Sequence, residues 1–363
     1  MAFKDDAYKM GCGRYIQCRG ALDRAGTEAA RLGSKKAYIL GGRTALSLTE
    51  SKLIFSLAKA GVGNLVRTHT GLCCRDYCAD YRAEMERTGC DLVIGVGGGT
   101  VLDLAKFLAA EAGVPVICVP TSAATCAACT PLSVMYTMEG RTEAHSTKHM
   151  REVDAVLADL DVLITQPPRL LIAGAYDAMA KDIELRHRTR GKDPDDLALG
   201  LDYAVIMARR TFAELRRLLP DALDALAQGQ ITKAFERVVY INLAVTGVIS
   251  GISRGSGQTA IAHEVYEAAR GLFTKEAAPY IHGEIVALAL AAQLAYNGQP
   301  EQIPELRAML QQYGLPVLLT DMGVAPTQEN LDLLYEDVVR SGSMETEGEE
   351  GARKLKQALR VLI

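Results

Sequence analysis

The chain has 363 residues, 49% hydrophobic and 23% charged, enough for a sizeable core and about two domains of ordinary size. A net charge of −4 and a pI near 5.9 give no basis for nucleic-acid binding. The charged start, MAFKDDAYKM, lacks the apolar stretch of a secretory signal, and no run approaches the roughly eighteen apolar residues of a membrane span; a cytoplasmic protein is expected.

Short apolar runs at 37–40, 64–67, 92–96, 114–119 and 155–163 alternate with helical periodicity. That alternation predicts a Rossmann-like α/β domain with a parallel sheet covered on both faces. Pro167-Pro168 interrupts the chain, and beyond it, as at 199–219 and 234–248, the pattern is long helical periodicity. The expected division is an α/β domain over 1–165 and an all-helical domain over 166–363. Residues 341–351, acidic and glycine-bearing, are expected to form an exposed loop.

Within the first half, residues 92–136 read LVIGVGGGTVLDLAKFLAAEAGVPVICVPTSAATCAACTPLSVMY. A buried strand leads into Gly97, Gly98 and Gly99, with Thr100 as the expected N-cap of a helix whose buried face carries Leu102, Ala105, Leu108 and Ala109. Glycines ahead of a helix N-terminus offer N–H groups and the positive end of a dipole to a diphosphate. Three consecutive glycines can equally serve tight packing. A second strand ends at Pro120-Thr121 and opens into a run of small and hydroxyl-bearing residues, and ligands of open α/β sheets sit beyond such strand ends.

The nine cysteines all lie before residue 130, an odd and irregular set that suits reduced thiols. Cys126 and Cys129 have redox or metal spacing, but no second pair completes a zinc site. Of six histidines, His145, His149 and His187 stand in charged surroundings and read as surface residues, and His69 reads as a loop residue. His263 lies in a small-residue helical run, and His282 heads an apolar helix. Two hydrogen-bonded histidines at helix contacts would explain both. Asp177 shifts the balance, because a carboxylate among small apolar helical residues is expensive to bury unless paired or bound to a cation. Two imidazoles and one carboxylate form a three-ligand set that leaves a coordination position open for Lewis-acid chemistry.

These residues resemble the iron-containing alcohol dehydrogenase superfamily, and within it the glycerol-dehydrogenase-like branch. The resemblance rests on Gly13-Arg14-Tyr15-Ile16-Gln17, GGGTVLDLAK at 97–106, PTSAATCAACTPLSVMY at 120–136, AGAYDAMAK at 173–181, AIAH at 260–263 and HGEIVA at 282–287. It implies a dinucleotide domain, a helical metal domain and hydride transfer in the cleft between them, with NAD or NADP and one divalent metal as cofactors. It also implies Asp177, His263 and His282 as metal ligands, Gly97, Gly98, Gly99, Thr100 and Val101 as the pyrophosphate loop, and Thr121, Thr130, Leu132 and Tyr136 at the nicotinamide end. A homo-oligomer acting on a small molecule is expected.

Several positions depart from the family pattern. The iron-dependent branch has a fourth-ligand histidine where this chain has Lys181; three ligands favour zinc, with iron as the alternative. The His-Asn pair that follows the first ligand histidine reads Tyr266-Glu267 here. Glycerol dehydrogenases hold polyol hydroxyls with an aspartate where this chain has Cys126, which is expected to line the substrate site. That loop is most similar to hydroxycarboxylate dehydrogenase members, so a 2-oxo or 2-hydroxy acid is the expected substrate, with glycerol or another polyol as the alternative. Lys181, Arg254 and Lys275 are candidates to hold its carboxylate. Asp103 and Lys106 are expected to brace the phosphate loop. Gly42 stands where many relatives carry a ribose-binding aspartate, and with Arg43 beside it NADP(H) is expected to be accepted. A dehydroquinate-synthase-like lyase and a redox sensor closing a Cys126–Cys129 disulfide are the competing readings.

Overall fold

The computed structural model describes residues 8–141, 143, 146–254, 259–341 and 348–363. The first half alternates β1 (Tyr15–Cys18), α1 (Ala25–Arg31), β2 (Lys36–Gly42), α2 (Arg43–Lys59), β3 (Gly63–His69), α3 (Arg75–Thr88), β4 (Leu92–Gly97), α4 (Gly99–Ala112) and β5 (Val116–Pro120). A two-residue pairing of β6 (Leu132–Ser133) with β7 (Thr147–Lys148) follows, then β8 (Ala155–Asp159) and α5 (Leu160–Leu163). The six longer strands form one parallel sheet in the order β1-β8-β5-β4-β2-β3. Every residue of β4 and β5 is buried, as expected of central parallel strands covered on both faces. Ile39, Leu92, Ile94, Val96, Ile117, Val119 and Leu157 form the core with Leu22, Leu53 and Leu57 from one covering layer.

The chain then becomes helical: α6 (Pro168–Arg188), α7 (Leu201–Ala227), α8 (Lys233–Tyr240), a π-helical segment at Ile241–Val245, α9 (Thr246–Ile252), α10 (Ile261–Leu272), α11 (Thr274–Ala277), α12 (His282–Tyr296), α13 (Ile303–Gln312), α14 (Gln328–Arg340) and α15 (Gly348–Leu359). The expected fold class, a Rossmann-like parallel sheet followed by helices, is the one observed. Two compact units emerge, Met1–Leu171 with Arg216–Gly255 and Ile172–Leu215 with Ser256–Ile363. By compactness, residues 216–255 therefore group with the sheet. One reason is Asn242, buried in the π-helical segment, whose Nδ2 donates to the carbonyls of Ala123 (3.0 Å) and Leu171 (3.1 Å). The helical run Lys233–Ile252 is long and apolar enough to cross a membrane, yet 67% of its most apolar window is buried within the protein.

Several local expectations change. The run at 155–163 is a strand only to Asp159, whose side chain accepts from Asp161 N and starts α5. The helix after the glycines begins at Gly99 with Gly98 as N-cap, so Thr100 is an exposed first-turn residue and not the cap. His149 is buried, contrary to its expected surface position, and His69, expected in a loop, is the buried last residue of β3. His187 is half-buried, its ring edge-on to Tyr296. His145 lies outside the described residues. Of the loop expected at 341–351, residues 342–347 lie outside the described residues and 348–351 open α15.

Candidate active site

The sheet order places a topological switch between β2, from which the chain runs outward to β3, and β4, from which it runs to β5 and β8. Ligand crevices of open α/β sheets lie at the carboxyl ends of strands at such a point. Gly42 ends β2 and Gly97 ends β4. Gly97 has φ +155, and a Cβ there would lie 3.1 Å from Val101 Cβ, so the turn into α4 requires glycine. At Gly42 the backbone is extended, and a Cβ would meet only Val101 Cγ2, at 3.9 Å. A side chain is therefore sterically allowed at Gly42, and that position carries no carboxylate. Arg43, the first residue of α2, is exposed.

The small-residue loop lies against this turn. A Cβ on Gly98 would sit 3.5 Å from Ser122 Oγ, and one on Gly99 3.3 Å from Thr125 Oγ1. Thr121 N donates to Gly97 O (3.0 Å), tying the ends of β4 and β5 together. Ala123 is held from two sides, its N–H by Gln166 Oε1 (2.8 Å) and its carbonyl by Asn242. Thr130 is buried, Leu132 lies in β6, and Tyr136 N donates to Cys73 O (2.8 Å). Cys126 is half-buried in the loop, and its carbonyl accepts from Cys129 N (2.9 Å). The Cys129 thiol is hydrogen-bonded to Cys12, which raises its pKa well above the ordinary thiol value together with burial.

The second constellation is built by α6, α10 and α12. Asp177 sits mid-way along α6, His263 in the first turn of α10, and His282 at the first position of α12. Their ligand atoms all lie within 4.8 Å of one another. Asp177 Oδ1 is 3.3 Å from His263 Nε2 and 3.5 Å from His282 Nε2. Gly283 permits the convergence, because a Cβ there would stand 2.0 Å from Ala173 O on α6.

Glu184, two turns beyond Asp177 on α6, orients the first histidine. Its Oε2 accepts from His263 Nδ1 (2.7 Å), and its Oε1 accepts from the backbone N–H groups of Ala260 (2.7 Å) and His263 (3.1 Å). A carboxylate on another helix thus caps α10 and fixes the imidazole with Nε2 toward Asp177. Gln293 on α12 accepts from Ile261 N (2.7 Å) at the same helix end. Tyr266 packs edge-on against the His282 ring, centroids 4.2 Å apart. Lys181 Nζ stands 3.2 Å from Asp177 Oδ1 and 2.8 Å from His263 Nε2.

The buried carboxylates of this cluster are balanced by neighbouring basic side chains. Burial alone would raise the Asp177 carboxyl, but Lys181 and hydrogen bonds from both histidines hold it well below the usual carboxylate range. Burial likewise opposes charge on Glu184, and His263 and Lys181 outweigh it. Burial would lower His263, and Glu184 with Asp177 raises it to about 9. One carboxylate oxygen and two imidazole nitrogens, converging and backed by a second buried carboxylate, fit a zinc or iron ion.

Of the carboxylate-binding candidates, Lys181 stands at this cluster. Arg254 stacks on the Tyr8 ring at 4.3 Å, and Lys275 is exposed on α11. Glu184 and Gln293 were not anticipated from the sequence. Asp177, Lys181 and Glu184 fall at i, i+4 and i+7, one face of a helix, and that charged stripe was the available signal.

Residues 12–160 match the family described as iron-containing alcohol dehydrogenase. A glycerol dehydrogenase of Escherichia coli is 31% identical over 315 residues, covering 86% of this chain and 83% of that protein. Hydroxycarboxylate dehydrogenase A, also of Escherichia coli, is 30% identical over 295 residues, covering 80% of this chain and 78% of its own length. The crystal structure of glycerol dehydrogenase from Schizosaccharomyces pombe shares the fold with a TM-score of 0.86 at 23% identity, covering 98% of this chain and 90% of that one. The chain belongs to the iron-containing alcohol dehydrogenase family. It is an oxidoreductase of the NAD(P)-dependent, metal-containing alcohol dehydrogenase type.

Proposed function

We propose that Asp177, His263 and His282 hold a divalent cation, zinc by donor type with iron as the alternative, and that the protein interconverts a 2-hydroxy acid and its 2-oxo acid. A divalent cation bound there supplies Lewis-acid stabilisation of negative charge on the substrate oxygen. Glu184 keeps the His263 ring in place, and Tyr266 supports that of His282. The observation that carries the substrate class is the ammonium of Lys181, buried beside the ligand atoms, where it offers a carboxylate a charged partner. Cys126, in place of the polyol-binding aspartate, removes a negative charge that would repel an anionic substrate. Gly97 to Val101 are assigned to the dinucleotide diphosphate, and Thr121, Thr130, Leu132 and Tyr136 to its nicotinamide end. With no carboxylate at Gly42 and Arg43 adjacent, NADP(H) is accepted as well as NAD(H).

The glycerol dehydrogenase relatives favour a second reading, oxidation of glycerol or another polyol. The deciding experiment assays polyols and 2-oxo acids with both cofactors after reconstitution with zinc or iron. A higher kcat/KM for a 2-oxo acid than for glycerol supports the first reading, and the reverse overturns it. In the same assay Arg43→Ala should weaken NADPH use by about tenfold while sparing NADH, the loss of one charge-assisted contact.

A further inference from the structure

Lys106 is buried, 2% exposed, on α4 about two turns beyond the phosphate-loop glycines. Its Nζ donates to the carbonyl oxygens of Ala127 (2.6 Å), Thr130 (2.9 Å) and Leu132 (2.5 Å) and pairs with Asp103 Oδ1 at 2.8 Å. An ammonium has three N–H donors, so these acceptors saturate it. Asp103 extends the grip, since its Oδ2 accepts from Val134 N (3.0 Å) and its carbonyl accepts from Ser133 Oγ (2.6 Å). Ser133 Oγ in turn meets His149 Nε2 at 2.8 Å, and His149 N donates to Pro131 O (2.8 Å). The anchored segment is thus the loop and β6, and not the phosphate loop that Asp103 and Lys106 were expected to brace.

A buried ion pair is weak as a source of stability, because apolar side chains of similar volume often do as well. What this network fixes is geometry. One end of α4 is the turn assigned to the diphosphate, and its middle grips the segment carrying Thr130 and Leu132, assigned to the nicotinamide end. A dinucleotide must satisfy both ends at once. We propose that Lys106 is a positioning residue that holds the nicotinamide-end segment in register with the phosphate loop. The inference rests on the dinucleotide assignment made above.

The test measures two ligands on the intact protein. ADP-ribose, which lacks nicotinamide, is titrated by calorimetry; the reduced dinucleotide that the wild type binds more tightly, NADH or NADPH, is followed by nicotinamide fluorescence. Lys106→Met should weaken the reduced dinucleotide by about tenfold or more and alter its fluorescence, because misplacement of about an ångström is that damaging. ADP-ribose affinity should stay within about twofold, as for an independent site. Equal loss of both ligands by the folded variant, or loss of neither, overturns the proposal. If Lys106→Met does not fold, Ser133→Ala carries the test, and a wild-type response to the reduced dinucleotide then overturns it. A wild-type protein that binds neither ligand would instead remove the cofactor assignment itself.

Discussion

The α4 and α6 helices each bury an aspartate with a lysine one turn further on, Asp103 with Lys106 and Asp177 with Lys181. On α4 the lysine meets three backbone carbonyls and the aspartate receives a backbone N–H, so the charges are consumed by the chain that they hold. On α6 the partners of the aspartate among the described residues are side chains, Lys181, His263 and His282, and the histidines present ring nitrogens to a common centre. Backbone partners make the first network part of the architecture. Side-chain donors aimed at one point, held by Glu184 from behind, are the basis of the cation site proposed for the second.

The strongest way to break this contrast is Asp177→Asn. With one anionic ligand gone, bound metal should fall to a trace by elemental mass spectrometry, and turnover should drop on the order of a thousandfold. Near-wild-type turnover with no bound metal would show that the cluster is only a buried ion network. Glu184→Gln comes next. Gln retains an acceptor for His263 Nδ1 but not the charge, so metal affinity measured against a chelator should weaken by about 10–100-fold.

Lys181→Met sharpens the substrate side of the comparison. If the ammonium holds a carboxylate, kcat/KM for 2-oxo acids should fall by about 10–100-fold, the worth of a charge-assisted hydrogen bond, while that for polyols changes little. A parallel loss on both substrate classes would mean that Lys181 supports the cluster as Lys106 supports its loop.

The two regions were unequally legible in the sequence. The continuous apolar run at 92–96 and the glycines after it announce a buried strand and a tight turn by local rules alone. β1 is four residues long, partly exposed and at the sheet edge, so neither alternation nor a buried run marks it. Asp177, His263 and His282 were legible as unusual residues, but their convergence depends on Gly283 meeting Ala173, a contact between residues far apart in the sequence. Glu184 left only the i, i+4, i+7 stripe. His149 reads as a surface residue because Lys148, Arg151 and Glu152 around it are charged, whereas its burial comes from Ser133 and Phe107.

That histidine gives the smallest expected effect. Burial holds the His149 imidazole down to about 4, with repulsion from Lys106 and Lys9 adding to it. In the unfolded chain it titrates near the ordinary value of about 6.5. Between those values the unfolded state binds a proton that the folded state refuses, so stability is full above about pH 6.5 and declines as pH falls toward 4. The imidazole is not wholly shielded from solvent, so the loss is about 1–3 kcal/mol. Paired carboxylates also weaken the protein in acid, and His149→Gln, which keeps a donor for Ser133 Oγ, separates the two causes. Urea midpoints at pH 7.5 and 4.5 should fall further for the wild type than for this variant. Equal falls would mean that the α4 network tolerates a charged histidine, and that its closure around Lys106 is looser than its hydrogen bonds indicate.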